Sequence, residues 1–193
     1  MPTSDLSFRN VPGDLAMWFF ILAELMVFGL LIIAFAVTET LHADVFRHSR
    51  TLLDTSTGLI LTLSLLTSGF LAELAVAQVR RQQQRSAAIL LGSALLSAAF
   101  YVVIKFNEYS HLASQGLDIE YDLFFTLYWI LTGFHFLHVL LGLVILAFMA
   151  VRCWLAAYGP ERRRNLESGV LYWHMVDLVW VMLFPLVYVL NAG

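Results

Sequence analysis

Cysteine, proline and charge are all scarce in this chain. Its 193 residues hold one cysteine, Cys153, and four prolines, and 13% are charged against 60% hydrophobic. One thiol forbids an internal disulfide and any site built on two thiolates, a two-copper centre included. No Gly-rich phosphate loop offers a nucleotide site. No basic cluster with interleaved aromatics points to nucleic acid, and a formal net charge of -3 says little about partners. With a mean hydropathy of +0.79, the composition lies far outside that of a soluble globule. The chain belongs in a membrane.

What is there is apolar and periodic at helical length. Five stretches are long enough to cross a hydrocarbon core, which takes about 20 residues. They are 15–37, 57–79, 87–107, 124–151 and 170–190. The expectation is all-α: a single membrane domain over 1–193, built as a bundle of five transmembrane helices. Breaks in the pattern agree with it. Pro12-Gly13-Asp14 precedes the first span, Asp54 with Thr55 and Ser56 can cap the second, Asp122 can cap the fourth, and Gly159-Pro160 ends it. Pro185 should kink the fifth span, where neighbouring helices can satisfy the freed carbonyl. A polar segment (41–54), an arginine-rich turn, an acidic loop (116–122) and a basic loop (160–167) connect the spans. Residues 1–13, with Arg9 as their only positive charge, lead into an apolar run that carries Glu24. They are expected to stay on the chain rather than leave as a signal peptide.

Arginine placement gives an orientation. With an odd number of spans, the N-terminus shares a side with the second and fourth connections. That side holds Arg9, Arg80, Arg81, Arg85, Arg152, Arg162, Arg163 and Arg164, and the opposite connections hold only Arg47 and Arg50. The positive-inside rule then puts the N-terminus in the cytoplasm and the C-terminus outside.

Ionisable groups inside the spans are the candidate functional residues, because a polar side chain at bilayer depth is costly unless it turns toward protein. His135 and His138 lie three apart on one helix. Glu24 falls at similar depth and could meet both. It is either a protonated acid bonded to a helix or half of a Glu/His pair. Lys105 and Glu108 are spaced to pair with each other, as are His174 and Asp177, with Trp173 and Trp180 expected to flank the latter pair. Glu73 nears the inner end of the second span. That span also carries Gly58, Thr62, Ser64, Ser68 and Gly69, small or hydroxylated residues that allow close backbone approach. Trp18, Phe19, Phe20, Trp129 and Trp154 read as lipid-facing or interfacial aromatics.

The leading reading of the set Glu24, Glu108, His135, His138, His174 and Asp177 is a buried polar network that glues helices together. Proton handling or a lipid head-group site is the sharper alternative, and a metal site the third. Glu24, His135, His138 and His174 would need one common depth to hold a metal, and their depths differ. A small secondary transporter or channel with a midplane Glu/His site is the alternative from another class, weakly supported by one proline-containing span.

Four stretches, in order, resemble one family. Thr132-Gly133-Phe134-His135-Phe136-Leu137-His138-Val139 with Gly142, and Trp173-His174-Met175-Val176-Asp177-Leu178-Val179-Trp180, are similar to two motifs of cytochrome c oxidase subunit III. Glu24 in Ile21-Leu22-Ala23-Glu24-Leu25-Met26 matches that family's buried carbodiimide-reactive glutamate, and Asn107-Glu108-Tyr109 resembles its Ser-Glu-Tyr. The mitochondrial type has seven spans, two of them ahead of the glutamate helix. Five spans resemble the subunit III of bacterial quinol oxidases or the subunit III-like protein of nitric oxide reductase clusters, the NorE type. The opening of 12–18 leans toward the latter.

The resemblance implies an accessory subunit in the bacterial plasma membrane. It would bind no redox centre of its own and would pack beside the catalytic subunit of a haem-copper oxidase or nitric oxide reductase. The first two spans would form a small arm and the last three a larger one, with structural phospholipid in the cleft. Such a subunit supports assembly, stability, sustained turnover and proton uptake of its partner. Glu24 would be carbodiimide-reactive or proton-buffering. The family's catalytic subunit needs more histidines than the three found inside spans here.

Overall fold

Long apolar runs with few breakers become helices, because in lipid only internal hydrogen bonding satisfies the backbone. The structure, a computed structural model, describes residues 15–156, 158 and 163–190. Helix α1 spans Leu15–Leu41, α2 Ala43–Arg50, α3 Thr55–Arg80, α4 Gln84–Ser114, α5 Leu123–Trp154 and α6 Arg163–Phe184, which continues as a π-helical turn over Pro185–Val189. Five of them, all but α2, are long and apolar enough to cross a membrane. The protein is a multi-pass, all-helical membrane bundle. The breaks expected at Pro12-Gly13-Asp14 and Gly159-Pro160 lie outside the described residues, as do Arg9 and Arg162.

Helix ends follow polar chemistry more than the edges of the apolar runs. Asp54 accepts from the Ser56 and Thr57 amides at 3.0 and 3.1 Å and so caps α3. Asp122 accepts from the Phe125 amide at 2.7 Å and caps α5. Helix α4 runs to Ser114, past the expected end at 107, and stops where Gly116 takes φ +74°. There the Leu117 amide reaches the Leu112 carbonyl and the Gly116 amide that of Ala113, with Leu112 and Leu117 both buried. This is a Schellman stop, and glycine supplies the left-handed residue it needs.

Small residues decide which spans pack closest. Ser64, Ser68, Ala72 and Ala75 of α3 are buried in its closest packing, with α4, whose buried face reads Ala87, Leu91, Ala94, Ala98 and Tyr101, while Gly69 of α3 faces Asp177 and His174 of α6. Ser68 Oγ donates to the Ala94 carbonyl at 2.8 Å, and Ser97 Oγ to the Ser64 carbonyl at 2.7 Å. Such hydrogen bonds between helices, made possible by short side chains, hold bundles together in lipid. Helix α6 packs on both α3 and α5. Gly142 of α5 leaves room for the buried Trp173 ring, which a Cβ there would strike.

Helix α1 stands at the margin. Ile21, Phe28 and Phe35, seven apart, are buried, while Phe19, Leu22, Met26, Leu30 and Ile33 are exposed. This seam lies on α5 and α6: Phe28 meets Phe134 at 5.1 Å and Phe35 meets Phe124 at 5.9 Å between ring centroids. The expected arm of first and second spans is therefore not how the helices group. Helix α1 lacks the small-residue stripe needed to approach α3, which is already engaged by α4 and α6.

The polar segment expected over 41–54 contains helix α2. Phe46, Ser49 and Arg50, at i, i+3 and i+4, form its buried face. Phe46 wedges between Phe35 and Phe124 at 5.1 and 5.4 Å, and Ser49 Oγ donates to Asp122. Pro185 turns the end of α6 into a π turn, closed by the Leu190 amide on the Pro185 carbonyl at 2.8 Å. Carbonyls at a helix C-terminus lack partners of their own. Arg50 supplies them, donating through Nε to Val187 at 3.1 Å and through Nη2 to Leu186 at 2.9 Å, while Thr55 Oγ1 donates to the Tyr188 carbonyl. Arg50 Nη2 also lies 2.8 Å from Glu39 Oε1, and both side chains are buried.

Candidate functional site

The ionisable side chains inside the bundle form separate clusters, not one network. Glu24 of α1 meets His138 of α5, with Oε2 to Nε2 at 3.1 Å. The other ring nitrogen of His138, Nδ1, is 2.8 Å from the Phe134 carbonyl. A carbonyl only accepts, so Nδ1 carries a hydrogen and Nε2 faces the carboxyl. One proton bridges the pair, either as a carboxylic acid donating to imidazole or as imidazolium donating to carboxylate. Phe28 and Phe134 wall the site at 5.2 and 4.6 Å from the His138 ring. The Glu24 side chain keeps 20% exposure on the outside of the bundle.

His135 does not join Glu24. Residues three apart on a helix are offset by about 60°, enough to send His138 to the α1 seam and His135 into the core. There His135 stacks on Trp180 at 5.2 Å and meets the edges of Tyr101 and Phe28. Neither of its ring nitrogens has a hydrogen-bond partner, and neither does the Tyr101 hydroxyl.

Lys105 and Glu108 pair at 2.9 Å, within a larger cage. The ammonium also donates to the hydroxyls of Tyr128 at 3.0 Å and Tyr188 at 2.8 Å, so all three of its hydrogens are used. Tyr188 in turn donates to Glu108 Oε1 at 2.7 Å. Four aromatic rings, Tyr109, Tyr128, Trp180 and Tyr188, lie 4.8 to 5.5 Å from the nitrogen. A fully buried cation held by one carboxylate, two hydroxyls and ring faces is a neutral, saturated unit.

His174 of α6 stands between Asp177, 3.8 Å from its Nδ1, and Glu73 of α3, 3.6 Å from its Nε2. Both separations exceed hydrogen-bond length. Trp173 and Trp180 do not flank this group but turn into the core, where Trp180 Nε1 donates to Thr62 Oγ1 at 3.0 Å.

Sequence reasoning missed Glu39, Arg50, Tyr128 and Tyr188. Pro185 was the available signal for Arg50, since a proline near a helix end guarantees carbonyls in need of a donor. The tyrosines had none. Their hydroxyls are 23 and 83 residues from Lys105 in the chain.

Outside the spans, hydrogen bonds from Thr57 and Ser56 hold the Asp54 carboxyl below its ordinary range, the Thr57 hydroxyl contributing most. Burial pushes the Tyr158 phenol up to about 12. Its backbone is held reciprocally by Gln84, which donates to the Tyr158 carbonyl at 2.8 Å and accepts from its amide at 3.2 Å.

This arrangement can hold and share protons but does not converge on a metal. Among the described residues, no three His, Cys, Asp or Glu side chains gather as ligands. Two Glu-x-x-His spacings of the kind di-metal bundles use do occur, at Glu39/His42 and Glu108/His111. In the fold both are broken up. Glu39 turns to Arg50 and Glu108 to Lys105, while His42 is exposed and His111 sits 3.0 Å from Gln115.

Comparison with known proteins adds what geometry does not. The family model described as cytochrome c oxidase subunit III matches residues 13–192. Quinol oxidase subunit 3 of Bacillus subtilis is 27% identical over 179 residues, 93% of this chain and 87% of that protein. The probable quinol oxidase subunit 3 of Staphylococcus aureus is 29% identical over 195 residues, 98% and 96% of the two. The heme-copper oxidase subunit I+III of Aeropyrum pernix is 30% identical over 187 residues, which is 90% of this chain and 22% of that longer protein.

Proposed function

The chain belongs to the cytochrome c oxidase subunit III family, and on that premise we propose that it is the non-catalytic accessory subunit of a haem-copper oxidase of the quinol-oxidising kind. Its partner is the catalytic subunit I. The observation that carries this is the family match over nearly the whole chain, joined by relatives named as subunit 3 of quinol oxidases and by one whose name unites subunits I and III. The donor groups support it. Arg50, Lys105 and Glu24 are each paired with an oppositely charged or protonatable neighbour, and His135 faces aromatic walls with no second ligand beside it. A subunit of this kind adds rigid surface and protonatable groups to the complex and binds no redox centre.

The transporter alternative finds less support. Among the described residues the spans are continuous except at the outer end of α6, whereas midplane transport sites are built on broken helices. The leaning toward the nitric oxide reductase type rests on 12–18, of which 12–14 lie outside the described residues, and none of the three relatives named above carries such a title. We place the protein in the bacterial plasma membrane with the N-terminus inside, on the arginine asymmetry. Arg80, Arg81, Arg85 and Arg152 gather at one end of the bundle, where Arg80 pairs with Glu167 at 2.9 Å. Structural phospholipid fits the exposed apolar faces and this basic edge.

Affinity purification through this chain in mild detergent tests the reading. The expected result is a co-purified haem-containing subunit with oxygen-reducing quinol oxidase activity. A complex that reduces nitric oxide, or the absence of any haem protein, contradicts it.

A further inference from the structure

A groove of about 320 Å³ lies between α3 and α6, lined by Gly69, Phe70, His174, Asp177, Leu178 and Leu66 among others. Asp177 can sit there only because position 69 has no side chain, since a Cβ on Gly69 would strike its carboxylate. The Asp177 side chain is 8% exposed, and its Oδ1 is buried with no hydrogen-bond partner. The neighbouring His174 and Glu73 side chains are 40% and 59% exposed, and His174 approaches Glu73 and Asp177 only at ion-pair distance. Two carboxyls against one imidazole leave the groove short of donors. It is the one described cluster inside the bundle in which a carboxylate oxygen lacks a donor and the ionisable side chains open outward.

Depth limits what can supply that donor. Gly69 is about 16 Å along α3 from Arg80 and about 21 Å from Thr55 at 1.5 Å per residue, close to the middle of the span. A lipid ammonium would have to sink about 15 Å, half the hydrocarbon core, to reach it. Leu66, Phe70 and Leu178 give the groove an apolar rim. An ionisable group left facing hydrocarbon there is costly. We propose that the α3/α6 groove is the docking site for a transmembrane helix of the catalytic subunit, which inserts a hydrogen-bond-donating, basic side chain between Asp177 and His174. This rests on the subunit reading above.

The test uses the complex in its native membrane. The photoreactive amino acid p-benzoylphenylalanine is placed at Phe70 and Leu178 on the groove rim, and at Leu96 of α4 and Val144 of α5, which are also exposed. After illumination, the rim positions are expected to give an adduct with the haem-containing subunit, and Leu96 and Val144 none. In parallel, Asp177→Asn keeps the shape and removes the charge, and its retention on the tagged catalytic subunit is expected to weaken about tenfold. Immunoblotting of membranes confirms that the variant accumulates. Adducts from Leu96 or Val144 with none from Phe70 and Leu178, equal adducts from all four, or none at all overturn the docking site. Unchanged retention of Asp177→Asn overturns the inserted donor. Failure of the unsubstituted chain to co-purify with a haem protein instead overturns the subunit reading, so the two failures are distinguishable.

Discussion

Replacing Arg50 with alanine probes the end of the bundle at which α2 meets the C-terminal turn of α6, where the structure makes its least expected contacts. The guanidinium satisfies the Leu186 and Val187 carbonyls at 2.9 and 3.1 Å and lies 2.8 Å from the buried Glu39 carboxylate. Removing it leaves Glu39 charged and unpaired, a change that costs about 3–5 kcal/mol when one partner of a buried pair is lost. It also frees two carbonyls, whose bonds to a charged donor are worth about 1.5–3 kcal/mol each. These terms overlap, so the expected total for Arg50→Ala is about 4 kcal/mol. For a chain of this size that lowers the midpoint by roughly 10 °C. Thermal unfolding of the purified protein in mild detergent, followed by tryptophan fluorescence, reads the shift. The double variant Glu39→Gln with Arg50→Met removes both charges and leaves only the carbonyls unserved. It should recover about half of the loss. A shift for Arg50→Ala within the few tenths of a kcal/mol typical of surface changes would refute the clamp, as would a double variant less stable than the single one.

Three further outcomes follow from the same geometry. Glu24→Gln should abolish labelling of this chain by an apolar carbodiimide, which attacks a protonated carboxyl in apolar surroundings, and should leave the haem spectrum of the complex unchanged. Persistent labelling or an altered haem band counts against the Glu24–His138 pair as drawn. Lys105→Met strands Glu108 in the core and should destabilise the protein by about 3–5 kcal/mol, with Glu108→Gln added to the same chain restoring part of it, as unfolding midpoints will show. Asp54→Ala removes the α3 cap at a cost of about 1 kcal/mol. Because the Asp54 carboxyl titrates below its unfolded value, the cap contributes fully above the ordinary carboxylate range near pH 4 and is lost as pH falls through its folded value. The gap between wild type and Asp54→Ala should therefore close in acid and stay constant from pH 5 to 8.

Local chemistry explains what could be read without coordinates. Apolar length alone located the five spans, and side-chain oxygens at Asp54 and Asp122 marked two helix starts because capping is decided within three residues. The Lys105–Glu108 pair was legible for the same reason. Helix α2 was not, since its residues are polar on average and only Phe46, Ser49 and Arg50 betray a buried face. The shared depth of Glu24, His135 and His138 suggested a triad. Depth, however, fixes only one coordinate, and the rotation between His135 and His138 sends one to the α1 seam and the other to Trp180. Nor did the number and length of spans show that α3 would choose α4 and α6 over α1. That choice lies in where Gly69, Ser68, Ala94 and Ala98 allow backbones to meet.

The account holds that the Glu24–His138, Arg50–Glu39 and Lys105–Glu108 pairs inside this bundle are structural and serve a subunit without redox chemistry of its own. Elemental analysis and visible absorption of the chain purified free of its partner test that claim most directly. The expected preparation is colourless and holds no stoichiometric iron or copper, while a bound haem band or one metal per chain would contradict it.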